Sequence, residues 1–466
     1  MRIVLASWLL AACALAVEPE WPGFRGPASN PAATNSKLPE KWSATTNIEW
    51  AAEIPGLGWS SPIVAGKNVF LTTVVTDGKA KVPQKGTSYS NDYAAELMKQ
   101  GVSEKEMIAK LNARDFEFPS EVSLHYFLYS VDLESGKINW KREFYSGRPP
   151  GGRHRKNSFS SETPVTDGKR VYVSITNLGV FAYDFDGKQV WNTPQESYPT
   201  IMDFGTGSSP TLVNGLLIIV NDSEKEQFIA ALDKETGKQV WRTKRSIHVE
   251  GADRQTGWST PYVWKHADRT EIVTVGPGQA ISYDLEGKEL WRLGGMGSMP
   301  IPSPFAHDGL LYLNGGVRNG LATVKPGASG DLTTPEGAKL NEFVAWVQPK
   351  AGTYLPTGLV YEGGLYVLTH TGILTRFDAK TGAQTFKSRV GEGGDFTSSL
   401  WGYNGKIFCI NEEGRTYVIK AGDKYELLQS NDLGEMALAT PAMIGDRLLL
   451  RTDKKLYSIR NAARPR

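Results

Sequence analysis

The feature that most constrains the fold is a motif in which Asp is followed, seven or eight residues later, by Trp across a Gly-containing turn. The copies are Asp132–Trp140, Asp184–Trp191, Asp233–Trp241, Asp284–Trp291 and, with Phe in place of Trp, Asp378–Phe386. Self-similarity of this kind is the signature of a repeat architecture. We therefore expect one structural unit that recurs along the 466 residues.

A second marker precedes these motifs, and it is a Ser or Thr that is usually followed by Pro. The marker residues are Ser61, Thr163, Ser209, Thr260, Ser303, Thr357, Ser399 and Thr440. Short β-branched and aromatic runs follow each marker, and Asp-Gly, Asn-Gly or Gly-Lys turns separate them, which is typical of hairpins. Four strands in a unit of about 40–50 residues match the blade of a propeller, so the eight markers predict eight blades.

The two ends of the repeat complement each other. The eighth unit ends after three strands, at Arg460, and has no Trp strand, whereas residues 47–50 match residues 137–140 without three strands before them. Joining these pieces would remove two unpaired sheet edges. The predicted fold class is all-β: an eight-bladed β-propeller with four-stranded antiparallel blades over residues 47–466, closed by an N-terminal strand that completes the last blade. Residues 17–46 are predicted to form an extended lead-in along the outside.

Only the first unit carries a long insertion, at about 76–122. Ser103 and Glu106 fit a capping box, and apolar residues follow at helical spacing, so this segment is predicted to be a helical decoration of one rim. A shorter insertion at 325–341 is predicted to be a long loop.

The N-terminus has the pattern of an export signal. Arg2 precedes a short apolar run and small residues, which predicts a signal peptide over residues 1–16. Residues 10–13 also fit a bacterial lipobox, which would leave Cys13 acylated, and both alternatives stay open. Either one predicts an exported protein, periplasmic or extracellular, or an outer-membrane lipoprotein. No later segment holds the roughly 20 apolar residues of a spanning helix.

Composition excludes several function classes. With 52 basic and 50 acidic residues the formal net charge is +2, so a general electrostatic driver for nucleic-acid binding is absent. The two cysteines, Cys13 and Cys409, cannot build a disulfide framework, a Cys-rich zinc site or a haem attachment. No zinc-binding His pair, nucleophile elbow or P-loop is found. We predict no catalytic residue, no metal ligand, no nucleic-acid partner and a monomer.

The repeat resembles that of the PQQ-like, or quinoprotein-type, β-propeller family, whose pattern is A-x-D-x-x-T-G-K-x-x-W. Residues Ala231 to Trp241 match it well, and the resemblance covers nearly the whole mature chain. It implies that the Trp packs between neighbouring blades and that the Asp and Thr hold the turn. The segment Trp21–Pro27 is similar to the start of many secreted bacterial chains of this group.

Two branches of the family imply different functions. Quinoprotein alcohol dehydrogenases bind pyrroloquinoline quinone (PQQ) with calcium in the axial funnel, and many carry an adjacent Cys pair that this chain lacks. The outer-membrane assembly lipoprotein of the BamB type is a scaffold without a cofactor. We therefore expect a secreted, non-catalytic and cofactor-free binding module for an envelope protein or a polysaccharide. The alternative is a PQQ- and calcium-dependent dehydrogenase that acts on an alcohol or sugar.

Loops that lead into the innermost strands converge on the axis of a propeller, so residues just before each marker are expected to line a funnel. The predicted ligand-binding residues are Arg153, His154, Arg155, Asn157, Asp203, Asp253 and Trp258. Their mixed charges suit an anionic or polar ligand held by Arg155. In the opposing interpretation they are solvated loop charges, with Trp258 packed as a blade residue. Both interpretations expect Arg153 and Arg155 to be exposed.

Overall fold

The computed structural model describes residues 21–33, 37–76, 96–103, 105–107, 109–110, 122–245, 255–316, 319–335 and 337–462. Within these residues the strands form eight sheets, which are the blades of an eight-bladed β-propeller, as predicted. Each blade has four antiparallel strands in order from the axis outwards. The predicted signal peptide and Cys13 lie outside the described residues.

The innermost strand of each blade is short, and both inner strands are largely buried. The innermost strands of blades one to eight are Ile63–Ala65, Val165–Thr166, Thr211–Val213, Tyr262–Lys265, Phe305–His307, Leu359–Tyr361, Trp401–Tyr403 and Ala442–Ile444. The second strands are Asn68–Thr76, Arg170–Ile175, Leu216–Asp222, Thr270–Gly276, Leu310–Asn314, Gly364–Leu368, Lys406–Ile410 and Arg447–Arg451. Because both faces of each sheet pack against other blades, these strands carry continuous apolar runs instead of alternating ones.

The outer half of each blade completes the hairpins. The third strands are Leu124–Asp132, Gly179–Asp184, Gln227–Asp233, Gln279–Tyr283, Leu321–Val324, Ile373–Asp378, Arg415–Lys420 and Lys455–Arg460. The outer strands are Ile138–Gly147, Gln189–Pro194, Gln239–Lys244, Glu289–Gly294, Val344–Gln348, Gln384–Arg389, Leu427–Asp432 and, for blade eight, Ile48–Glu53. Outer strands such as Gln189–Pro194 alternate between exposed and half-buried residues, since one face contacts solvent.

The turn between the third and outer strands is held by its Asp, as the family resemblance implies. In blade three, Asp233 Oδ1 accepts the Thr236 backbone N–H (2.8 Å) and hydroxyl (2.7 Å). The hydrogen bond from the Thr236 hydroxyl lowers the pKa of Asp233, because it stabilises the charged carboxylate. The indole of Trp191, from blade two, donates to Lys234 O at 3.0 Å, which joins the neighbouring blades.

The predicted closure is confirmed. Ile48–Glu53 pairs antiparallel with Lys455–Arg460, and Trp50 lies opposite Ser458. The Trp50 indole donates to Leu133 O of blade one at 3.1 Å, so the N-terminal strand also makes the contact between blades eight and one.

The first part of the lead-in, residues 21–33, does not run along the outside, so the prediction is wrong for this part. Trp21 pairs with Val64 in the innermost strand of blade one, and the Thr166 N–H of blade two donates to Pro22 O at 2.8 Å. On the other side of the axis, the buried Arg25 donates to Gly358 O of blade six at 2.6 Å. The lead-in therefore crosses one end of the ring. A guanidinium has enough donors to satisfy carbonyls that the ends of the innermost strands leave unpaired.

Further along, the lead-in covers blade seven. Ala32–Ala33 pairs parallel with the innermost strand Trp401–Tyr403. The outer strand of this blade has no Trp, and the buried Leu38 and Trp42 pack there instead, in a cluster shared with blade eight. The lead-in thus supplies an aromatic contact that the repeat itself lacks at this position.

Two smaller features lie outside the four-stranded pattern. In the blade-one insertion, residues 96–99, 105–107 and 109–110 are helical, and the Ser103 hydroxyl accepts the Glu106 N–H (3.4 Å). A 3-10 turn spans Ile201–Asp203. The 325–341 segment is more than a loop, because its Gly330–Asp331 pairs parallel with the outer strand of blade four. No helix in the described part of the chain is both long and apolar enough to cross a membrane.

Candidate functional site

One hydroxyl group from each blade faces the propeller axis, and these are the eight Ser and Thr markers, which we call the hydroxyl belt. In seven consecutive pairs, from Ser61 round to Thr440, the backbone N–H of one marker donates to the hydroxyl oxygen of the next, at 2.9–3.2 Å. The marker therefore recurs because its side chain satisfies a backbone N–H of the neighbouring blade. The sequence revealed the marker residues but not this role.

The hydroxyl belt lines a cavity of about 220 Å³ on the axis, which we call the axial cavity. Aromatic side chains form much of its wall: Phe24, Trp59, Phe204, Trp258 and Tyr354. Phe24 belongs to the lead-in, so the segment that crosses one end of the ring also contributes to the cavity. His154, Lys156 and Asn157 approach from the loop at the opposite end.

This loop, residues 153–159, reaches across the axis. Lys156 and Glu412 of blade seven form an ion pair, with side chains only 7% and 0% exposed. The Lys156 carbonyl accepts the indole N–H of Trp59 at 2.6 Å, and the His154 N–H donates to Phe204 O at 2.8 Å. The loop is thereby fixed to three separate parts of the ring.

Three of the seven predicted ligand-binding residues, His154, Asn157 and Trp258, line the axial cavity. The Asn157 amide donates to Thr206 O at 3.0 Å, and the Trp258 indole donates to Gly205 O at 2.8 Å. Their polar groups are thus used in part to position their own loops, and Trp258 also presents its ring. A role of these residues in ligand binding stays a prediction.

Arg153 and Arg155 are only 2% and 8% exposed, so the expectation of solvated charges is wrong. Arg153 Nη1 donates to the carbonyls of Arg155 (3.0 Å) and Asn157 (2.7 Å), and its guanidinium lies 5.6 Å from the centre of the Phe159 ring. Burial lowers the pKa of Arg153 to about 10. The loop folds around this side chain because a guanidinium has several donors in one plane for such carbonyls.

Of the two predicted acids, Asp203 does not line the axial cavity. Asp203 is exposed, and its Oδ2 accepts the Gly152 N–H at 2.6 Å, so it holds the neck of the 153–159 loop. Asp253 lies outside the described residues.

Glu162, which contacts the cavity residue Thr206, is a buried acid beside the site that sequence reasoning missed. It is buried, and one of its carboxylate oxygens accepts the Thr206 hydroxyl. Burial raises the pKa of Glu162 to about 7. A signal was present, because Glu162 directly precedes the marker Thr163, where the other seven units have Ser, Pro or Ala.

The axial cavity does not suit PQQ with calcium. Calcium takes oxygen ligands, with carboxylates prominent among them, and the carboxylates of PQQ would need cations. No Asp or Glu lines the cavity in the described part of the chain, and no cluster of three His, Cys, Asp or Glu occurs there. Lys156, the Lys of the lining, is paired with Glu412. The absence of a cofactor nevertheless stays a prediction.

Comparison with known proteins identifies the repeat. The family described as outer membrane protein assembly factor BamB matches residues 127–294, from the third strand of blade one to the outer strand of blade four. BamB of Yersinia pestis is 22% identical over 339 residues, which cover 63% of this chain and 81% of that protein. Residues 127–294 thus form propeller repeats similar to those of BamB.

Solved structures of PQQ-like propellers share this fold. BamB from Moraxella catarrhalis superposes with a TM-score of 0.51 at 11% identity, over 75% of this chain and 95% of that one. The quinohemoprotein alcohol dehydrogenase from Comamonas testosteroni superposes with a TM-score of 0.56 at 11% identity, over 98% of this chain and 82% of that one. Likeness at such low identity shows the fold alone, because one fold hosts unrelated functions.

Proposed function

We propose that this PQQ-like propeller is a non-catalytic scaffold of the cell envelope that holds a protein partner. The observation that carries the proposal is a row of exposed aliphatic residues on the outer strands of blades one to three. Ile138, Val190 and Val240 are 42%, 40% and 55% exposed. All three lie within residues 127–294, the segment that matches the assembly factor BamB.

The outer edges of these strands are open, whereas those of blades four and seven are covered. Gly330–Asp331 pairs with the outer strand of blade four, and Ser43 of the lead-in forms a bridge with Asp432 of blade seven. Among the described residues, no strand pairs with the outer edges of blades one to three. Unpaired edges bind extended segments of other proteins through main-chain hydrogen bonds, and exposed aliphatic side chains beside them add apolar contact. An extended, apolar strand of a partner protein would fit this surface.

Introducing charged side chains at these open edges tests whether the partner protein binds there. Val190→Lys combined with Val240→Lys should abolish capture of the partner from cross-linked envelope extract, because Lys on an edge strand disfavours strand pairing. Leu427→Lys with Leu428→Lys is the matched control, since these residues are similarly exposed on blade seven. Equal capture by both double variants would place the interface elsewhere, provided that their melting temperatures match that of the wild type.

The same preparation separates a scaffold from a dehydrogenase. The protein is incubated with PQQ and calcium, and cofactor uptake and dye-linked oxidation of alcohols and sugars are then measured. We expect neither. Stoichiometric uptake with turnover would replace the scaffold proposal by the dehydrogenase alternative.

A further inference from the structure

The hydroxyl belt has hydrogen-bonding capacity that the protein does not use. Seven of its eight oxygens accept one backbone N–H each. A hydroxyl also has one hydrogen to donate and a second lone pair. Within the described residues, none of the eight hydroxyls donates to a protein acceptor, and all eight line the axial cavity. The belt therefore presents a ring of groups that can each donate and accept.

The charges around the cavity favour a neutral ligand. The Lys156 ammonium is paired with Glu412 and lies 3.3 Å from the Thr397 hydroxyl, which itself donates to Glu412 at 2.7 Å. An anion would therefore compete with a carboxylate already in place. An anion would also use only the donors of the belt and none of its lone pairs.

The rest of the lining favours a ligand with apolar faces. Trp258, Tyr354 and Phe204 stand in the wall, and flat aromatic surfaces contact C–H groups well. The volume of about 220 Å³ is below the roughly 300–1,000 Å³ of sites for drug-sized molecules. A ligand of this size that has both hydroxyl groups and apolar faces is a single sugar ring.

We propose that the axial cavity binds a neutral, hydroxyl-rich ligand the size of one sugar ring, held edge-on by the hydroxyl belt. This site is separate from the open outer edges assigned to the protein partner. Binding of the sugar and capture of the partner can therefore fail independently.

Titration calorimetry of the full chain with D-glucose, D-galactose, D-mannose and N-acetylglucosamine tests the proposal, and Trp fluorescence provides a second readout because Trp59 and Trp258 line the cavity. We expect saturable one-to-one binding of at least one of these sugars at millimolar concentration. Inorganic phosphate and acetate serve as anionic probes. Binding of the anions alone, or of none of these probes, would overturn the proposal.

Three variants locate the site. Thr260→Val removes one belt hydroxyl at constant size and should weaken Kd about five-fold, the effect of one hydrogen bond. Thr243→Val is the matched control. Thr243 lies in the outer strand of blade three, away from the cavity, and its hydroxyl donates to Gly287 O. This variant should leave Kd unchanged. Ala439→Leu places bulk in the cavity lining without removing a hydroxyl, and it should abolish binding.

Thr260→Val also deprives the Ser209 N–H of its acceptor, so its fold is checked by thermal melting. Ala439→Leu removes no hydroxyl from the belt. If Thr260→Val is unstable, Ala439→Leu alone tests whether the sugar binds in the axial cavity. Unchanged sugar affinity in a folded Ala439→Leu protein would show that the sugar binds elsewhere.

Discussion

At the scale of single residues, Glu162 shows how burial changes the chemistry of a carboxyl group. Burial removes the water around its ionised carboxylate, and hydrogen bonds such as the one from the Thr206 hydroxyl offset this loss only in part. The neutral acid is therefore favoured in the folded state, and the pKa of Glu162 rises to about 7.

This shift predicts a pH-dependent stability. Because the folded pKa is raised, the stabilisation is fully present below the ordinary value of about 4.5 and is lost as pH rises through about 7. Between pH 5 and pH 8 the contribution of Glu162 to the free energy of unfolding should fall by about 3 kcal/mol. Urea unfolding at both values should show this loss in the wild type and a much smaller one in Glu162→Gln. Parallel behaviour of the two proteins would contradict it.

The buried Lys156–Glu412 ion pair predicts that removing one partner costs more stability than removing both. Lys156→Met leaves the buried Glu412 carboxylate without its cation and should cost about 3–5 kcal/mol of stability. Adding Glu412→Gln should recover part of this loss, because no charge is then left buried. Denaturant midpoints of the two single variants and the double variant form the cycle.

An exposed pair gives the control for this cycle. Lys420 and Glu426 are 60% and 54% exposed, and the same changes there should shift stability by about 1 kcal/mol or less. Similar losses of stability at the two sites would show that burial does not increase the cost of breaking the Lys156–Glu412 pair.

At the scale of the element, the Trp of one blade and the Gly turn of the next form a repeated joint. The pairs are Trp50 with Gly136, Trp140 with Gly187, Trp191 with Gly237, Trp241 with Gly287 and Trp346 with Gly382. In each, the indole donates to a carbonyl of the turn, and a Cβ on the Gly would lie 2.4–2.8 Å from the ring. The Gly is needed both for its positive φ and for its lack of a side chain.

Two glycines separate these requirements. Gly237 has a positive φ of 72°, and a Cβ added there would clash with the Trp191 ring. Gly215 has a positive φ of 84°, but a Cβ added there would contact nothing within 4 Å. Strain alone should cost Gly215→Ala about 1–2 kcal/mol. The clash should cost Gly237→Ala a further 1–3 kcal/mol or so. Equal destabilisation in urea unfolding would show that the indole contact is unimportant.

The joints were predictable from sequence, whereas the lead-in was not. The Asp-to-Trp spacing recurs along the chain, so each copy of the motif supports the assignment of the other copies to the same joint. Arg25 contacts Gly358, 333 positions away, and no repeat marks this pairing. Lys156 and Glu412 are likewise 256 positions apart. Loop position was enough to place His154 and Trp258 at the axial cavity, whereas contacts made by a side chain that reaches across the ring were not predicted.

At the scale of the whole molecule, the closing strand and the rest of the lead-in have separable roles. Deleting residues 17–51 removes most of the fourth strand of blade eight and should cause aggregation or loss of cooperative melting, because sheet edges become exposed. Deleting only residues 17–46 keeps Ile48–Glu53 and should give a monomer with a lower melting temperature. Light scattering and thermal melting distinguish these states. A cooperative monomer from the longer deletion would refute the role of closure.

The pairing of Ile48–Glu53 with Lys455–Arg460 also governs when the protein can finish folding. Glu49 and Ser458 are hydrogen-bonded partners 409 positions apart, so Ile48–Glu53 can pair only after Lys455–Arg460 has been synthesised. Contacts between such distant segments form slowly, because a long loop must close before they are made. A nascent chain that stops short of Lys455 leaves its own N-terminal strand accessible to proteases. Resistance of that strand to cleavage therefore marks a chain that has been synthesised at least through Arg460.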